Sequence, residues 1–120
     1  MKFSEDKSNA LLISAYRPGE IDVGGETWRR SILIHTGKCI AWKIESITDL
    51  SAGHLTDILS FRPDILLLGT GPQQQFPDIE SYAELLACKI GVEIMDSAAA
   101  ARTYNVLVSE GRKVMAGIII

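Results

Sequence analysis

The sequence predicts an α/β domain in three layers around a mixed central sheet, with an N-terminal antiparallel β-meander followed by an α-β-α-β-α-β succession. Three observations carry this prediction. Residues 11–47 hold three turn signals, Pro18-Gly19, Gly24-Gly25 and Thr36-Gly37, and before the last of them Trp28, Arg30, Ile32 and Ile34 alternate with Arg29, Ser31, Leu33 and His35. That period of two, in β-branched and aromatic residues, marks a strand of a meander. Residues 64–69, "DILLLG", are apolar at consecutive positions, as in a central parallel strand covered on both faces. Beyond them helical and extended spacings alternate, which calls for crossovers joining parallel strands.

The elements follow in order. Residues 38–44 return the meander, with Ile40, Trp42 and Ile44 on one face. Ser51 caps a helix whose Ala52, Leu55, Ile58 and Leu59 form one stripe, and Arg62-Pro63 stops it. The strand 64–69 is followed by a helix from about Pro77 to Lys89, its core face drawn from Ile79, Tyr82, Ala83, Leu86 and Ile90, with Gly91 placed to end it. "VEIM" is a short strand. Asp96 or Ser97 caps the helix "AAAARTYNVLVSEG", in which Ala100, Tyr104, Leu107 and Val108 share a face, and "KVMAGIII" is the last strand.

The chain has 120 residues, 47% hydrophobic and 22% charged. At this length roughly two-thirds of the unfolded surface is buried, enough for a core without disulfides or a structural metal. Residues 10–120 are read as a single domain, and the polar segment 1–9 as mobile. A net charge of −3 gives no electrostatic case for nucleic acid. Cys39 and Cys88 form no CxxC pattern, so both read as small core residues of a reduced, cytoplasmic protein. The N-terminus has no signal-peptide core, and the apolar runs 65–68 and 118–120 are too short to span a bilayer. Direct membrane insertion is therefore not expected.

The stretch "PDILLLGTGPQQQFPD", residues 63–78, has the layout of a phosphate loop. A dinucleotide fingerprint needs GxGxxG, and here Gln74 stands where the third glycine belongs. Pro72 removes an amide that would cradle a pyrophosphate, and no Gly-Lys-Ser/Thr follows. The bland reading is a strand-to-helix turn that needs glycine. In "DSAAAARTYN" the alanines permit close packing of helix on sheet, and Arg102 lies in the second turn. Its stem either snorkels along the surface or, with Thr70 and the amides of residues 97–99, converges on an anion. The second reading follows from parallel strands ending at Gly69 and Met95 on one sheet edge.

No other constellation carries chemistry. His35 sits at a hairpin end and His54 on a polar helix face, with no His/Cys/carboxylate cluster for a metal. No GxSxG or paired His/Asp arrangement marks a nucleophile. "TWRR", residues 27–30, reads as an edge strand guarded by charge, which also offers a partner or a second copy a place to pair. The oligomeric state stays open.

Taken together, "DILLLGTG", "IGVEIMD" and "AARTYNVLVSEGRKVMAGII" resemble a domain-of-unknown-function family. It includes mitochondrial complex I assembly factor 3, the adipogenesis-associated domain protein and many single-domain bacterial members. The likeness covers residues 10–120. It implies a three-layer fold with a mixed sheet, no established catalysis, and, in the mitochondrial members, assembly of a respiratory complex through protein contacts. It marks Gly69, Thr70, Gly71, Arg102, Thr103, Tyr104 and Asn105 as signature positions. The family pattern often has Thr and Cys where this chain has Ser97 and Ala100 or Ala101, which argues against a thiol needed for chemistry. The expectation is a protein-binding or assembly-factor-like module without cofactor, metal or catalytic residues, with a protein partner. Its candidate binding edge comprises Gly69, Thr70, Gly71, Asp96, Ser97, Arg102, Tyr104 and Asn105. The alternative is a phosphate- or nucleotide-binding protein or enzyme using that same edge.

Overall fold

A computed structural model describes residues 10–120; the segment expected to be mobile, 1–9, lies outside the described residues. Strands β1 (Ile13–Arg17), β2 (Glu20–Val23) and β3 (Glu26–Trp28) form an antiparallel sheet of three, with β3 at its edge. Strands β4 (Ile32–His35), β5 (Lys38–Ala41), β6 (Ile65–Thr70), β7 (Gly91–Met95) and β8 (Val114–Ile119) form the central sheet in the order β5-β4-β8-β6-β7. It is mixed: β6 pairs in parallel with β7 and β8, while β4 runs antiparallel to β5 and β8.

The both-faced apolar strands divide two cores between them. Leu67 of β6, Ile32 and Ile34 of β4, and Val114, Ala116 and Ile118 of β8 face helix α3 (Ser97–Ser109) and the small sheet, meeting Ile13, Ile21, Ala100 and Tyr104. Leu66, Leu68, Leu33 and Met115 face the opposite layer, with Ile58 of α1 (Thr56–Phe61), Leu85 of α2 (Ala83–Ala87), and Trp42, Ile47 and Leu55 from the connections. Three layers result because a sheet apolar on both faces must be covered twice.

The structure corrects the sequence reading at four places. The strand expected through residues 28–35 is two strands in two sheets, broken at Arg29-Arg30-Ser31. The returning strand ends at Ala41 rather than residue 44, because one residue further on the chain folds back on itself, the Ile44 amide donating to Trp42 O at 2.8 Å. The helix expected from Ser51 is a 3₁₀ turn, Ala52–His54, followed by α1, which Arg62 closes in the left-handed region at φ 53°. The helix expected over 77–89 is a 3₁₀ turn, Ile79–Tyr82, followed by the short α2. Lys89, at φ 64°, turns the chain there, and Gly91 is already the first residue of β7.

Helix α3 starts as its sequence dictates. Asp96 Oδ1 accepts the Ala99 amide at 2.8 Å, an N-cap bond, and the small residues Ser97, Ala100 and Ala101 bring the helix down onto the sheet. At Gly69 the approach is so close that an added Cβ would lie 2.9 Å from Ser97 Oγ and 3.0 Å from Ala100 Cβ. Across the other face the Trp42 ring covers Gly117, where a Cβ would lie 2.6 Å from Cζ3. Trp42 is held there by its indole N–H, which donates to His54 O at 3.0 Å.

Candidate functional site

The carboxyl ends of β6, β7 and β8 meet at one edge of the sheet, and the candidate residues at that edge hold one another. Gly71, at φ 100°, turns the chain out of β6 in a conformation glycine adopts without steric cost. Its amide donates to Ser97 Oγ at 2.8 Å, and its carbonyl accepts the Ser97 amide at 2.8 Å. The Ser97 hydroxyl in turn donates to Ile119 O. One buried serine thus ties the end of β6, the start of α3 and the end of β8. Of the amides at residues 97–99 that were expected to be free, those of Ser97 and Ala99 are taken, by Gly71 O and the Asp96 side chain.

Thr70 organises the loop that follows. Its Oγ1 donates to Gln73 O at 2.7 Å and accepts the Gln75 amide at 3.0 Å. Gln74 reaches across to β7, its Nε2 donating to Ile94 O at 2.9 Å. The polar run after the glycines is therefore fastened at both sides. Immediately beyond it Phe76 stands 68% exposed, and Ile79 and Leu86 are 57% and 43% exposed. In the sequence Ile79 and Leu86 belong to the expected core face; the structure turns Leu85 inward instead.

Tyr104 and Asn105 lie further along α3, facing β1. The Tyr104 hydroxyl donates to Leu11 O at 2.9 Å. Asn105 clamps Ile13 at two points: Oδ1 accepts its amide at 2.9 Å and Nδ2 donates to its carbonyl at 2.7 Å. The side-chain amide acts as a strand neighbour would, fixing the small sheet to the helix. Burial raises the Tyr104 phenol well above its ordinary value, with a further push from Cys39.

Arg102 is exposed. It borders a shallow cavity of about 240 Å³ together with Ile13–Tyr16, Ala98, Ala101 and Asn105. The Tyr16 hydroxyl is buried without a hydrogen-bond partner. Burial raises its pKa, the Ser97 hydroxyl works against that shift, and the Asp96 charge adds to it. The eight candidate residues therefore divide. Gly69, Thr70, Gly71, Asp96 and Ser97 make a knot at the carboxyl edge, Tyr104 and Asn105 make a clamp on β1, and Arg102 stands exposed on the cavity beside that clamp.

Comparison with known proteins places this arrangement. A family model described as a protein of unknown function (DUF498/DUF598) matches residues 13–119. The chain belongs to this family. Proteins similar to it include the 13 kDa major membrane protein of Francisella tularensis, 39% identical over 99% of each chain. NADH dehydrogenase (ubiquinone) 1 alpha subcomplex assembly factor 3 of Danio rerio is 28% identical over 96% of this chain and 67% of its own. A crystal structure from Bordetella parapertussis superposes with a TM-score of 0.86 at 35% identity, covering 92% of this chain and 95% of that one. The mixed-sheet α/β fold and the assembly-factor kinship expected from the sequence are both found. Among the described residues no helix is long and apolar enough to cross a membrane.

Two features escaped the sequence reading. The outward turn of Ile79 and Leu86 was hidden because their spacing fits a buried stripe equally well. A cavity lined by Arg29, Arg30 and Lys43 was hidden because Lys43 reaches the arginines only through the pairing of β4 with β5 and the Trp42–Ser31 bond beyond it.

Proposed function

We infer that the protein is a non-enzymatic protein-binding module of the assembly-factor type, and that its partner covers the connection carrying Phe76, Ile79 and Leu86. The observation that carries this is Phe76, 68% exposed on a loop that Thr70 and Gln74 fasten to the sheet. An exposed aromatic side chain on a fastened loop loses little conformational freedom on binding. Covering a Phe or Leu side chain completely is worth about 1.5–3 kcal/mol. In this reading the Gly69–Gly71 knot is the frame that aims the loop. Kinship with assembly factor 3, whose name states its role, supports the partner class.

The compartment in this reading is the cytoplasm. A relative named as a membrane protein fits a module that reaches a membrane by way of its partner.

The test is co-purification of the tagged full chain from its own cells, wild type beside Phe76→Ser/Ile79→Ser. The expected result is a stoichiometric partner recovered with wild type and lost from a variant of unchanged melting temperature. Recovery of the same proteins with both chains would refute the assignment.

A further inference from the structure

A larger cavity lies elsewhere, where the chain leaves the small sheet for the central one. It measures about 560 Å³ and is lined by Arg29, Arg30, Ser31, Trp42, Lys43, Ile44, Glu45 and Ile120. A second cavity of about 360 Å³ shares Arg29 and Arg30 with it and reaches Trp28. The larger volume falls within the range of small-molecule sites, about 300–1,000 Å³.

Its charge is opposite to that of the molecule. The chain carries −3 overall, yet three cationic side chains, Arg29, Arg30 and Lys43, line the cavity with one carboxylate, Glu45; with Glu20 counted against Arg29, the excess is one positive charge. Among the described residues the sole ion pair of this group is a long one, Arg29 Nη2 to Glu20 Oε1 at 3.7 Å, on a well-exposed arginine. The backbone beneath them is fixed: Ser31 is buried, and its carbonyl accepts the Trp42 amide at 2.8 Å. Trp42, locked by His54 O, and Ile44 are each 5% exposed, so they close the floor of the cavity from the core side. Trp28 keeps a buried Nε1–H with no acceptor.

Like-charged side chains gathered around a cavity repel one another unless an anion sits between them, and the arginine fork matches an oxyanion at two points. We propose that this cavity binds a small organic phosphate monoester. The dianionic head is held by Arg29, Arg30 and Lys43, and the organic body lies over the floor that Trp42 and Ile44 close. A monoester is close to dianionic at neutral pH, opposite in sign to the side-chain excess.

The test is a titration of the full chain with phenyl phosphate, followed by backbone amide and indole shifts. The expected result is saturable binding, below about 1 mM at low salt, with shifts at residues 29–31 and 42–45 and at the Trp42 indole. Arg30→Ala/Lys43→Ala should weaken it at least tenfold, and Arg112→Ala should leave it unchanged. Arg29→Ala provides a second variant at an exposed position, for which loss of folding is not at issue; it should weaken binding several-fold. Inorganic phosphate should shift the same amides more weakly. Non-saturable shifts, undiminished affinity in the Arg29 variant, or an equal response to benzyl alcohol would each overturn the proposal. None of these outcomes depends on a protein partner.

Discussion

Gly71 and Ser97 bond to each other twice: the glycine amide donates to the serine hydroxyl oxygen and the serine amide donates to the glycine carbonyl, both at 2.8 Å. Because the same hydroxyl donates to Ile119 O, three chain segments distant in sequence share one buried oxygen. Ser97→Ala removes that oxygen and leaves the Gly71 amide and the Ile119 carbonyl without their partner. An unpaired buried group costs about 1–3 kcal/mol, so the variant should lose stability in that range. Urea denaturation with an unchanged slope would show that the native state, and not the unfolded chain, is affected.

Asn105 makes the small sheet depend on α3. Asn105→Ala strips the amide and carbonyl of Ile13 of their partners, and should cost about 1–3 kcal/mol. The effect should be local as well as global. Hydrogen exchange at the Ile13 amide should rise towards that of an unprotected strand while the amides of β6 and β8 keep their protection relative to global stability.

Gly117 and Trp42 test the packing of the other face. A Cβ at 117 would lie 2.6 Å from Trp42 Cζ3, and the ring is tethered by its bond to His54 O. Gly117→Ala should therefore destabilise by about 1–3 kcal/mol, as overpacking does. Since both residues meet at one contact, Gly117→Ala combined with Trp42→Leu should cost less than the sum of the single changes in a denaturation cycle.

Stability should fall at alkaline pH. Burial pushes the Cys39 thiol up to about 11, with Glu26 adding to the shift, and burial raises Tyr104 as well. Both are acids held protonated in the folded state. The unfolded thiol ionises first, so the stabilisation is complete below its ordinary value and is lost as the pH climbs through the folded one. The urea midpoint should decline between about pH 9 and 11, less steeply in Cys39→Ala. At pH 8 the folded Cys39 should react with a thiol reagent far more slowly than the same residue in urea.

The second half of the fold was legible because its local and tertiary signals agree. Asp96 caps, alanines allow close approach, and consecutive leucines in β6 demand a cover on both faces. The first half misled where they diverge. The alternation of Trp28, Arg30, Ile32 and Ile34 runs through the break at residues 29–31 without a glycine or proline, because strand pairing alone decides where one sheet ends. Ile79 and Leu86 misled for a related reason. Periodicity shows that an apolar face exists, and cannot say whether this chain or another covers it. At the candidate edge Ser97 was legible as a cap, but its bonds to Gly71 and Ile119 follow from topology.

In the proposed function the fastened loop presents Phe76 to a protein partner. The most direct measurement places a photo-cross-linking amino acid at position 76 in the cell, with position 110, on an exposed helix end, as the comparison. The expected result is a discrete adduct of one defined protein at 76 and none at 110. The same diffuse adducts at both positions, or none at 76 beside an active enzyme turnover by the purified chain, would contradict it.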